Sequence, residues 1–366
     1  KAAIDTGVAR KVITDWDAYR EELRKRLSIS NPLMRQLKAG AKRDPKRVVF
    51  AEAENYKMLK AAEIVINERI AQPVLLGNEE NIRELVRVNE LEIDGAIIID
   101  PRADAEKNRV EEFARYFFSK RQRRGVTFRK AKDMMRSDNY FAAMLVESGF
   151  ADAMVSGLTD NYPNTIRPAL QVIGKSRRWS LVSGMYIINT KSGPVFFADT
   201  TVNKNPTAEQ LVEITLQTAR AVERFKIKPR IALLSYSNFG SNEGRIPLLV
   251  REAVATLHRE HPDLIVDGDV QANVALNNEI LKENFPFSKL ADGPANVLIF
   301  PYLTAGNIAY KLMQEMGKMD VIGPIINGMA KSVHIVQIGS SVSEIVNMVM
   351  ISVLDAQCIQ DEKCDE

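Results

Sequence analysis

Residues 304–307 (Thr-Ala-Gly-Asn) could hold a charged ligand because they connect a strand pattern to a helix pattern. The short apolar run 297–300 precedes them, and the helical segment 307–316 follows. An apolar run bounded by Pro or Gly is typical of a buried parallel strand. A turn between such a strand and a helix directs backbone N–H groups at one point, which favours an anion. On spacing alone, an ordinary turn without a ligand explains the pattern better.

A second strand–turn–helix pattern spans residues 154–173. It predicts a strand over 154–157, a loop over 158–164 and a helix over 165–173. We expect Pro168 in the first helical turn, where its missing N–H is tolerated. Arg167, beside this proline, directs a guanidinium group toward the loop, where it could simply pair with Asp160.

A basic patch lies within the helical stretch 111–136, before and after Gly125. One interpretation is a solvated helix end, because cations are favourable at helix C-termini. The other is a binding site for the phosphates of a nucleotide-like ligand, since arginine binds phosphate through two hydrogen bonds. The two interpretations are about equally supported. The patch consists of Lys120, Arg121, Arg123, Arg124, Arg129 and Lys130.

The elements that must position these residues alternate between strands and helices. Strands are expected at 47–50, 74–76 and 96–100, with helices at 56–67 and 81–88 between them. This alternation predicts a parallel sheet with helices on both faces. The sequence then predicts a hairpin over 179–202, helices over 205–225 and 246–258, strands over 231–234, 320–326 and 333–338, and a final apolar helix over 345–356.

Composition limits the class of protein. The 366 residues allow a sizeable core in one large or two modest domains. The formal net charge of +3 creates no bulk field that would recruit nucleic acid. We find no apolar run that approaches the ~20 residues of a membrane span, so no membrane partner is expected. Two cysteines, Cys358 and Cys364, indicate a reducing cytoplasm, and we expect no metal site at His258 and His261.

Six motifs resemble the phosphate acetyltransferase (phosphotransacetylase) family, in the same order over residues 31–357. They are MVSGLTDNYPNTIRPALQVIG, SYSNFGSNEG, DGDVQANVAL, FPYLTAGNIAYKL, VIGPIINGMAKSV and GSSVSEIVNMV. The resemblance implies a three-layer α/β/α phosphotransacetylase-like fold, which is also isocitrate/isopropylmalate dehydrogenase-like. It further implies one lobe from residues 31–178 plus 325–366, a second lobe from 179–324, and a cleft between them. Because the family dimerises, we expect a homo-oligomer, at least a dimer.

Residues 1–30 do not belong to that pattern. AAIDTGVARKVI followed by DWDAYREEL resembles the segment that joins the catalytic part of the large hybrid malic enzymes to its C-terminal partner. The same residues also read as a polar amphipathic helix capped by Asp15. Since the chain begins at Lys1, the two features suggest the second half of such an enzyme. The partner would be a malic enzyme catalytic domain in cis, and NADP and a divalent metal would belong only to that part.

The positions that carry chemistry in the resembled family differ in this chain. The family's Ser-Arg pair before a Gly corresponds to Gln337 and Ile338, and its following acid corresponds to Glu344. Glu344 also completes a capping box, Ser341-x-x-Glu344, which we favour as its role. The remaining departures are Asn161-Tyr162, Phe239, Asn273 and Glu315. Loss of several polar groups in a retained scaffold predicts that no catalytic residue remains in this domain.

The resemblance implies that binding can survive this loss. In the family the arginine matching Arg167 helps to bind phosphate or the substrate carbonyl, so we favour a ligand role for it. We therefore expect an inactive regulatory domain that binds acetyl-CoA as an allosteric ligand and needs no cofactor of its own. The alternatives are an active phosphate acetyltransferase and a purely structural oligomerisation module. The predicted acetyl-CoA ligands are Arg121, Arg124, Asn161, Tyr162, Arg167, Ser237, Asn238, Gly306, Asn307 and Lys311.

Overall fold

The computed structural model describes residues 32–364. The predicted linker over 1–30 and the helix capped by Asp15 lie outside the described residues. The strands are β1 (Lys46–Phe50), β2 (Ala71–Leu76), β3 (Ile97–Ile99), β4 (Ala153–Ser156), β5 (Ser183–Thr190), β6 (Gly193–Ala198), β7 (Ile231–Leu234), β8 (Val266–Val270), β9 (Val297–Ile299), β10 (Asp320–Asn327) and β11 (Ser332–Ile335).

Helices fill the connections between these strands. They are α1 (Pro32–Ala41), α2 (Tyr56–Asn67), α3 (Glu79–Val88), α4 (Lys107–Arg121), α5 (Phe128–Met134), α6 (Asp138–Glu147), α7 (Tyr162–Val172), α8 (Ala208–Arg224), α9 (Arg245–Glu260), α10 (Ala272–Ala275), α11 (Asn278–Asn284), α12 (Leu303–Gly317) and α13 (Val342–Cys364). The predicted α/β fold is thereby confirmed.

The first sheet is parallel, with strand order β11-β4-β1-β2-β3. Its central strand β1 reads Lys-Arg-Val-Val-Phe, and apolar residues enter both faces. Val48 and Phe50 pack into one core with α1, α2 and α13, whereas Val49 packs into a second core with α4, α6 and α7. A strand buried on both faces is what an apolar run in a parallel sheet requires.

The second sheet is mixed, with strand order β10-β5-β6-β9-β7-β8. Strands β5 and β6 form the predicted hairpin, in which Met185 pairs with Ala198. Strand β10 runs antiparallel to β5 at the edge, while β6, β9, β7 and β8 are parallel. One face of this sheet shares the first core, and the other packs on α12 through Tyr186, Ile188 and Tyr310.

Two segments of the described chain connect the sheets: residues 173–182, between α7 and β5, and residues 328–331, between β10 and β11. They lie side by side. The N–H of Ser176 donates to the carbonyl of Gly328 at 2.9 Å, and the N–H of Ala330 donates to that of Gly174 at 3.1 Å. The lobe boundaries that the resemblance implies stay a prediction, and β10 continues to Asn327 before the chain returns to the first sheet.

The final helix α13 is longer than the predicted range 345–356. Its segment Val342–Asp361 is 20 residues long with a mean hydropathy of 1.5, so the expectation of no apolar run of membrane-span length was wrong. Half of that segment is buried inside the fold, and Ile345, Val349 and Val353 are fully buried. The helix is therefore a core element that packs on the first sheet.

The predicted capping box at the start of α13 is confirmed. The N–H of Ser341 donates to Oε2 of Glu344 at 2.7 Å, and the N–H of Glu344 donates to Oγ of Ser341 at 3.2 Å. The two side chains thus satisfy donors at the helix N-terminus that would otherwise have no partner. This engagement agrees with the structural role favoured for Glu344.

Several helix boundaries differ from the predictions. Helix α12 begins at Leu303 rather than at residue 307, and α7 begins at Tyr162 rather than at 165. Pro168 consequently lies inside α7, whereas Pro163 occupies its first turn. The basic stretch 111–136 is broken at Gly125, which has a φ of 78° and ends a 3₁₀ turn.

Candidate functional site

Gln337 lies where the two sheets face each other. It follows β11 of the first sheet, and its Nε2 donates to the phenol oxygen of Tyr186 on β5 of the second. The same nitrogen lies 3.3 Å from the phenol oxygen of Tyr310 on α12. The rings of Tyr186 and Tyr310 stack at a centroid distance of 4.0 Å, with 15° between their planes. An amide group thus bridges the two sheets.

A cavity of about 170 Å³ surrounds this contact, and we call it the Gln337 cavity. Ile338 lies on its wall with 67% of its surface exposed. A branched hydrocarbon in this position can exclude water from a ligand, but it cannot bind phosphate. The cavity is lined by Tyr186, Gln314, Val321, Gly323, Gln337, Ile338, Gly339, Ser340 and Glu344.

Tyr162 reaches the same region from the first turn of α7. Its phenol oxygen is buried and has no hydrogen-bond partner in the part of the chain that the structure describes. Burial and the nearby carboxylate of Asp199 raise the pKa of the Tyr162 phenol. Burial likewise raises the pKa of the Tyr186 phenol, and the neighbouring phenol of Tyr162 adds to that increase. Tyr162 is therefore a neutral hydroxyl at neutral pH, available to a ligand group.

Helix α12 packs closely on the end of β6, and Gly306 allows this close approach. A Cβ at Gly306 would lie 2.7 Å from the carbonyl oxygen of Asp199, and its N–H already donates within the helix to Tyr302. Nδ2 of Asn307 donates to the carbonyl of Thr200 at 3.3 Å. The predicted turn over 304–307 was wrong, because these residues form the first turns of a packed helix. A ligand role for Gly306 and Asn307 stays a prediction.

The loop after β4 binds the carboxylate of Glu52, a side chain of the same protein. Oε2 of Glu52 accepts hydrogen bonds from the N–H groups of Gly157 at 3.0 Å and Leu158 at 2.6 Å, and Oε1 accepts from the hydroxyl of Thr159 at 2.9 Å. Gly157 is required here, since its φ is 110° and a Cβ would lie 2.5 Å from the carbonyl oxygen of Val336. The carboxylate of Glu52 therefore occupies the donors of this loop.

Asn161 and Arg167 flank Tyr162 on α7 but do different things. Oδ1 of Asn161 accepts from the N–H of Asn164 at 3.1 Å, so this side chain caps the helix. Arg167 is exposed. The alternative pair with Asp160 does not form within the described residues, because Oδ1 of Asp160 accepts from Asn161 and Asn164 instead. The guanidinium of Arg167 remains available to a ligand.

Arg121 of the basic patch and Arg167 both lie close enough to Tyr140 for their charges to act on its phenol. Burial raises the pKa of the Tyr140 phenol, and the positive charges of Arg167 and Arg121 act in the opposite direction. Arg121 is half-buried, and Arg124 is exposed in the short 3₁₀ turn that follows α4. Of the basic patch, Arg121 therefore shares one environment with Arg167. Lys311 lies elsewhere, with Nζ 5.5 Å from the ring centre of Tyr310.

Ser237 and Asn238 lie in the loop after β7, which strand β9 separates from β6. Their polar groups are already used. Oγ of Ser237 accepts from the N–H of Asn242 at 3.1 Å, and Oδ1 of Asn238 accepts from that of Gln271 at 2.8 Å. These contacts organise the loop, and Phe239 packs against Phe285 and Phe287 there. No contact within the described chain joins these two residues to the Gln337 cavity.

The arrangement therefore combines neutral donors with an apolar wall. Amide and phenol groups surround the Gln337 cavity, while its carboxylate, Glu344, is held in the capping box. Such groups can bind a carbonyl or an amide, but they supply neither an unoccupied base to deprotonate a thiol nor a cation for phosphate.

Sequence reasoning missed Tyr186, Tyr310 and Glu52. The two tyrosines belong to a strand and a helix far apart in the chain, and each reads simply as an apolar core residue. Glu52 follows β1 directly, and a carboxylate at the carboxyl end of a parallel strand is a signal that could have been used.

Comparison with known proteins agrees with this fold. The family described as "Phosphate acetyl/butaryl transferase" matches residues 32–353. A phosphate acetyltransferase of Clostridium acetobutylicum is 38% identical over 87% of this chain and 96% of its own length. A phosphotransacetylase structure from Streptococcus pyogenes superposes with a TM-score of 0.82 at 35% identity, covering 89% of this chain and 98% of that one.

An NADP-dependent malic enzyme of Haemophilus influenzae is also similar, at 36% identity over 98% of this chain. The match covers 47% of the malic enzyme, so the chain spans about half the length of that relative. The part they share is the phosphotransacetylase-like part. This chain belongs to the phosphate acetyl/butaryl transferase family.

Proposed function

We propose that this chain is a regulatory unit that binds acetyl-CoA without transferring its acetyl group, as part of an NADP-dependent malic enzyme. The observation that carries the proposal is the contact of Gln337 with Tyr186 and Tyr310. In the motif that resembles the family, this amide takes the place of a hydroxyl, and the neighbouring Ile338 takes the place of an arginine. Losing one preorganised contact to a transition state typically costs ~2.7–4 kcal/mol, and here two adjacent groups are replaced.

Binding of acetyl-CoA draws on groups that the fold leaves available. The buried phenol of Tyr162 can donate to the acetyl carbonyl, and the amide of Gln337 can contact the pantetheine chain. Arg167 and Arg121, together at Tyr140, would meet the phosphates of the nucleotide. Asn161, Ser237, Asn238 and Gly306 contribute to the scaffold rather than to the ligand.

Regulation requires only that the ligand favour one arrangement of the two sheets over another. The contact between Gln337 and Tyr186 crosses between them, so a ligand that lengthens or tightens it shifts that equilibrium. A coupling of ~1–3 kcal/mol, typical of allostery, would change the activity of an attached enzyme several-fold. The whole enzyme's reaction, the oxidative decarboxylation of malate with NADP and a divalent metal, would take place in the other half.

The alternative is an active phosphate acetyltransferase, which the 38% identity to such an enzyme over nearly its whole length favours. A thiol-release assay with acetyl-CoA and inorganic phosphate separates the two. We expect no release above a protein-free control, and robust turnover would refute the inactive assignment. The double variant Gln337→Ser/Ile338→Arg, assayed in parallel, tests whether these two positions alone hold back the reaction.

Calorimetry then tests binding. We expect Arg167→Ala and Tyr162→Ala each to weaken acetyl-CoA binding several-fold, while the exposed, distant Arg35→Ala leaves it unchanged. If the wild-type chain binds no acetyl-CoA at millimolar concentration, the regulatory proposal fails and a structural oligomerisation role replaces it.

A further inference from the structure

A second pocket lies where the two segments that connect the sheets run side by side, and we call it the connector pocket. Its volume is about 370 Å³, within the range of small-molecule sites. None of its lining residues lines the Gln337 cavity. The walls come from both connecting segments, from the end of β10 and from α8 and α13; they are Ser176, Arg177, Arg178, Trp179, Arg220, Arg224, Ile326, Asn327, Gly328, Met329, Ala330, Asp355 and Ile359.

The pocket is strongly basic. Four arginines line it, against one carboxylate, Asp355, which already pairs with Arg224. Arg177 and Arg178 make no ion pair with any described residue, and both are exposed at the rim. The guanidinium of Arg178 lies 5.5 Å from the ring centre of Trp179, whose side chain is half-buried in the wall. Guanidinium groups are the side chains best suited to bind phosphate through two hydrogen bonds.

Asn327 points independently to a ligand. This last residue of β10 is only 7% exposed, and its Nδ2 is buried without a hydrogen-bond partner among the described residues. Asn327 nevertheless lines the connector pocket. A buried amide donor without an acceptor costs ~1–3 kcal/mol, so its presence is understandable if a bound group supplies the acceptor.

We infer that the connector pocket binds a phosphate-bearing small molecule. Its phosphate oxygens would accept from Arg177, Arg178 and Nδ2 of Asn327, and an aromatic base, where the ligand has one, would stack on Trp179. The inference does not depend on acetyl-CoA binding, because the two sites share no residue. Since the pocket adjoins both connections, a ligand there would also favour one arrangement of the sheets.

Titration calorimetry of the full chain with ADP and with inorganic pyrophosphate tests the inference. We expect saturable binding of at least one probe, at least tenfold weaker in Arg177→Ala/Arg178→Ala. The double variant Arg35→Ala/Arg43→Ala removes the same charge from an exposed surface elsewhere and should bind as the wild type does. Pyrophosphate binding as tightly as ADP would assign the site to phosphate alone, and tighter ADP binding would assign it to a nucleotide.

Asn327→Leu separates a ligand contact from a structural effect. The leucine keeps the number and branching of the side-chain heavy atoms but removes the unpartnered amide, so we expect several-fold weaker probe binding with an unchanged or higher unfolding temperature. The inference is overturned if neither probe binds at millimolar concentration, if both arginine double variants lose the same affinity, or if Asn327→Leu binds as the wild type does. Loss of binding in Tyr162→Phe alone would place the probe in the Gln337 cavity and would also overturn it.

Discussion

Gln337 donates a hydrogen bond to the phenol oxygen of Tyr186, and this contact joins the loop after the first sheet's β11 to the second sheet's β5. Tyr186 is 3% exposed and stacks on Tyr310, which is equally buried. Gln337 is thus part of a packed amide–phenol cluster. The same contact gives a ligand in the Gln337 cavity a direct means of acting on the relative position of the sheets.

The Tyr162 hydroxyl gives the sharpest test of the ligand site. Because this buried group has no partner in the described chain, Tyr162→Phe should not lower the free energy of unfolding and could raise it by ~1–3 kcal/mol. We expect acetyl-CoA affinity to fall several-fold in calorimetry. Tyr116→Phe, which alters an exposed phenol bonded to Glu147, is the control and should leave affinity unchanged. Unchanged affinity in Tyr162→Phe would remove Tyr162 from the site.

Gly306→Ala should destabilise the chain by ~1–3 kcal/mol, since the added methyl would meet the backbone carbonyl of Asp199. Urea unfolding measures this. Gly317→Ala, in the last turn of the same helix, meets only the flexible side chain of Met319 at 3.1 Å and should be neutral or stabilising by up to ~1 kcal/mol. Equal effects of the two substitutions would show that the close packing of α12 on β6 is not needed.

Asp355 predicts a pH dependence of stability. Burial raises the pKa of its carboxyl group, but the imidazole of His334, whose Nε2 lies 3.5 Å from Oδ2, and the charge of Arg224 outweigh burial and hold the pKa below its ordinary value of 3.8. A carboxylate with a lowered pKa stabilises the fold above the unfolded-state pKa, and this contribution is lost as pH falls through the folded-state pKa. The contribution should therefore be complete at neutral pH and disappear below about pH 3.8.

We expect Asp355→Asn to lower the free energy of unfolding by ~1.5–3 kcal/mol at pH 7, because it removes the charged acceptor of the hydrogen bond from Arg224. The difference from wild type should shrink as unfolding is measured at successively lower pH, below 4. Asp361→Asn changes an exposed carboxylate on the same helix and serves as control. A difference that stays constant with pH would contradict the assignment.

The chain should sediment as a homo-oligomer of at least two 41.0 kDa subunits, as the family resemblance implies. The apolar sequence of the final helix would suit such an interface, but Ile345, Val349 and Val353 of α13 are buried within their own fold. Val353→Glu should therefore abolish folding rather than produce folded monomers. Sedimentation combined with circular dichroism distinguishes these results; a folded monomeric variant would restore α13 as an interface helix, and a monomeric wild type would refute the oligomer.

Elements with an unambiguous period were predictable from the sequence. Helix α2 and strand β7 coincide with the predicted ranges 56–67 and 231–234. Each carries a continuous apolar pattern, and Asn55 caps α2 with a hydrogen bond from the N–H of Lys57. Local chemistry was sufficient in these places.

The start of α12 was not predictable from the sequence, because a glycine such as Gly306 can either form a turn or allow a helix to pack closely. A glycine after Pro301 indicates a turn, but here it allows the helix to approach the carbonyl of Asp199. A tertiary contact of this kind leaves no local trace in the sequence. The prediction that Pro168 lies in the first turn of a helix was wrong for a related reason, since this proline is tolerated in the interior of α7.

The site was predicted only in part. Motif comparison directed attention to Gln337 and Ile338, which line the same cavity. It gave no indication that Gln337 contacts Tyr186 and Tyr310, because residue pairing between distant elements depends on the fold. Arg121 and Arg167 are close together only because the end of α4 packs near α7 at Tyr140.

The most direct test of the central claim is one calorimetric titration of the chain with acetyl-CoA in phosphate buffer. Binding without acetyl transfer predicts a saturating series of heats, after each of which the thermal power returns to the baseline. Sustained thermal power after injection would reveal turnover, and the absence of any heat of binding at millimolar acetyl-CoA would show that the ligand is not bound. Either result would contradict a regulatory unit that binds acetyl-CoA without catalysis.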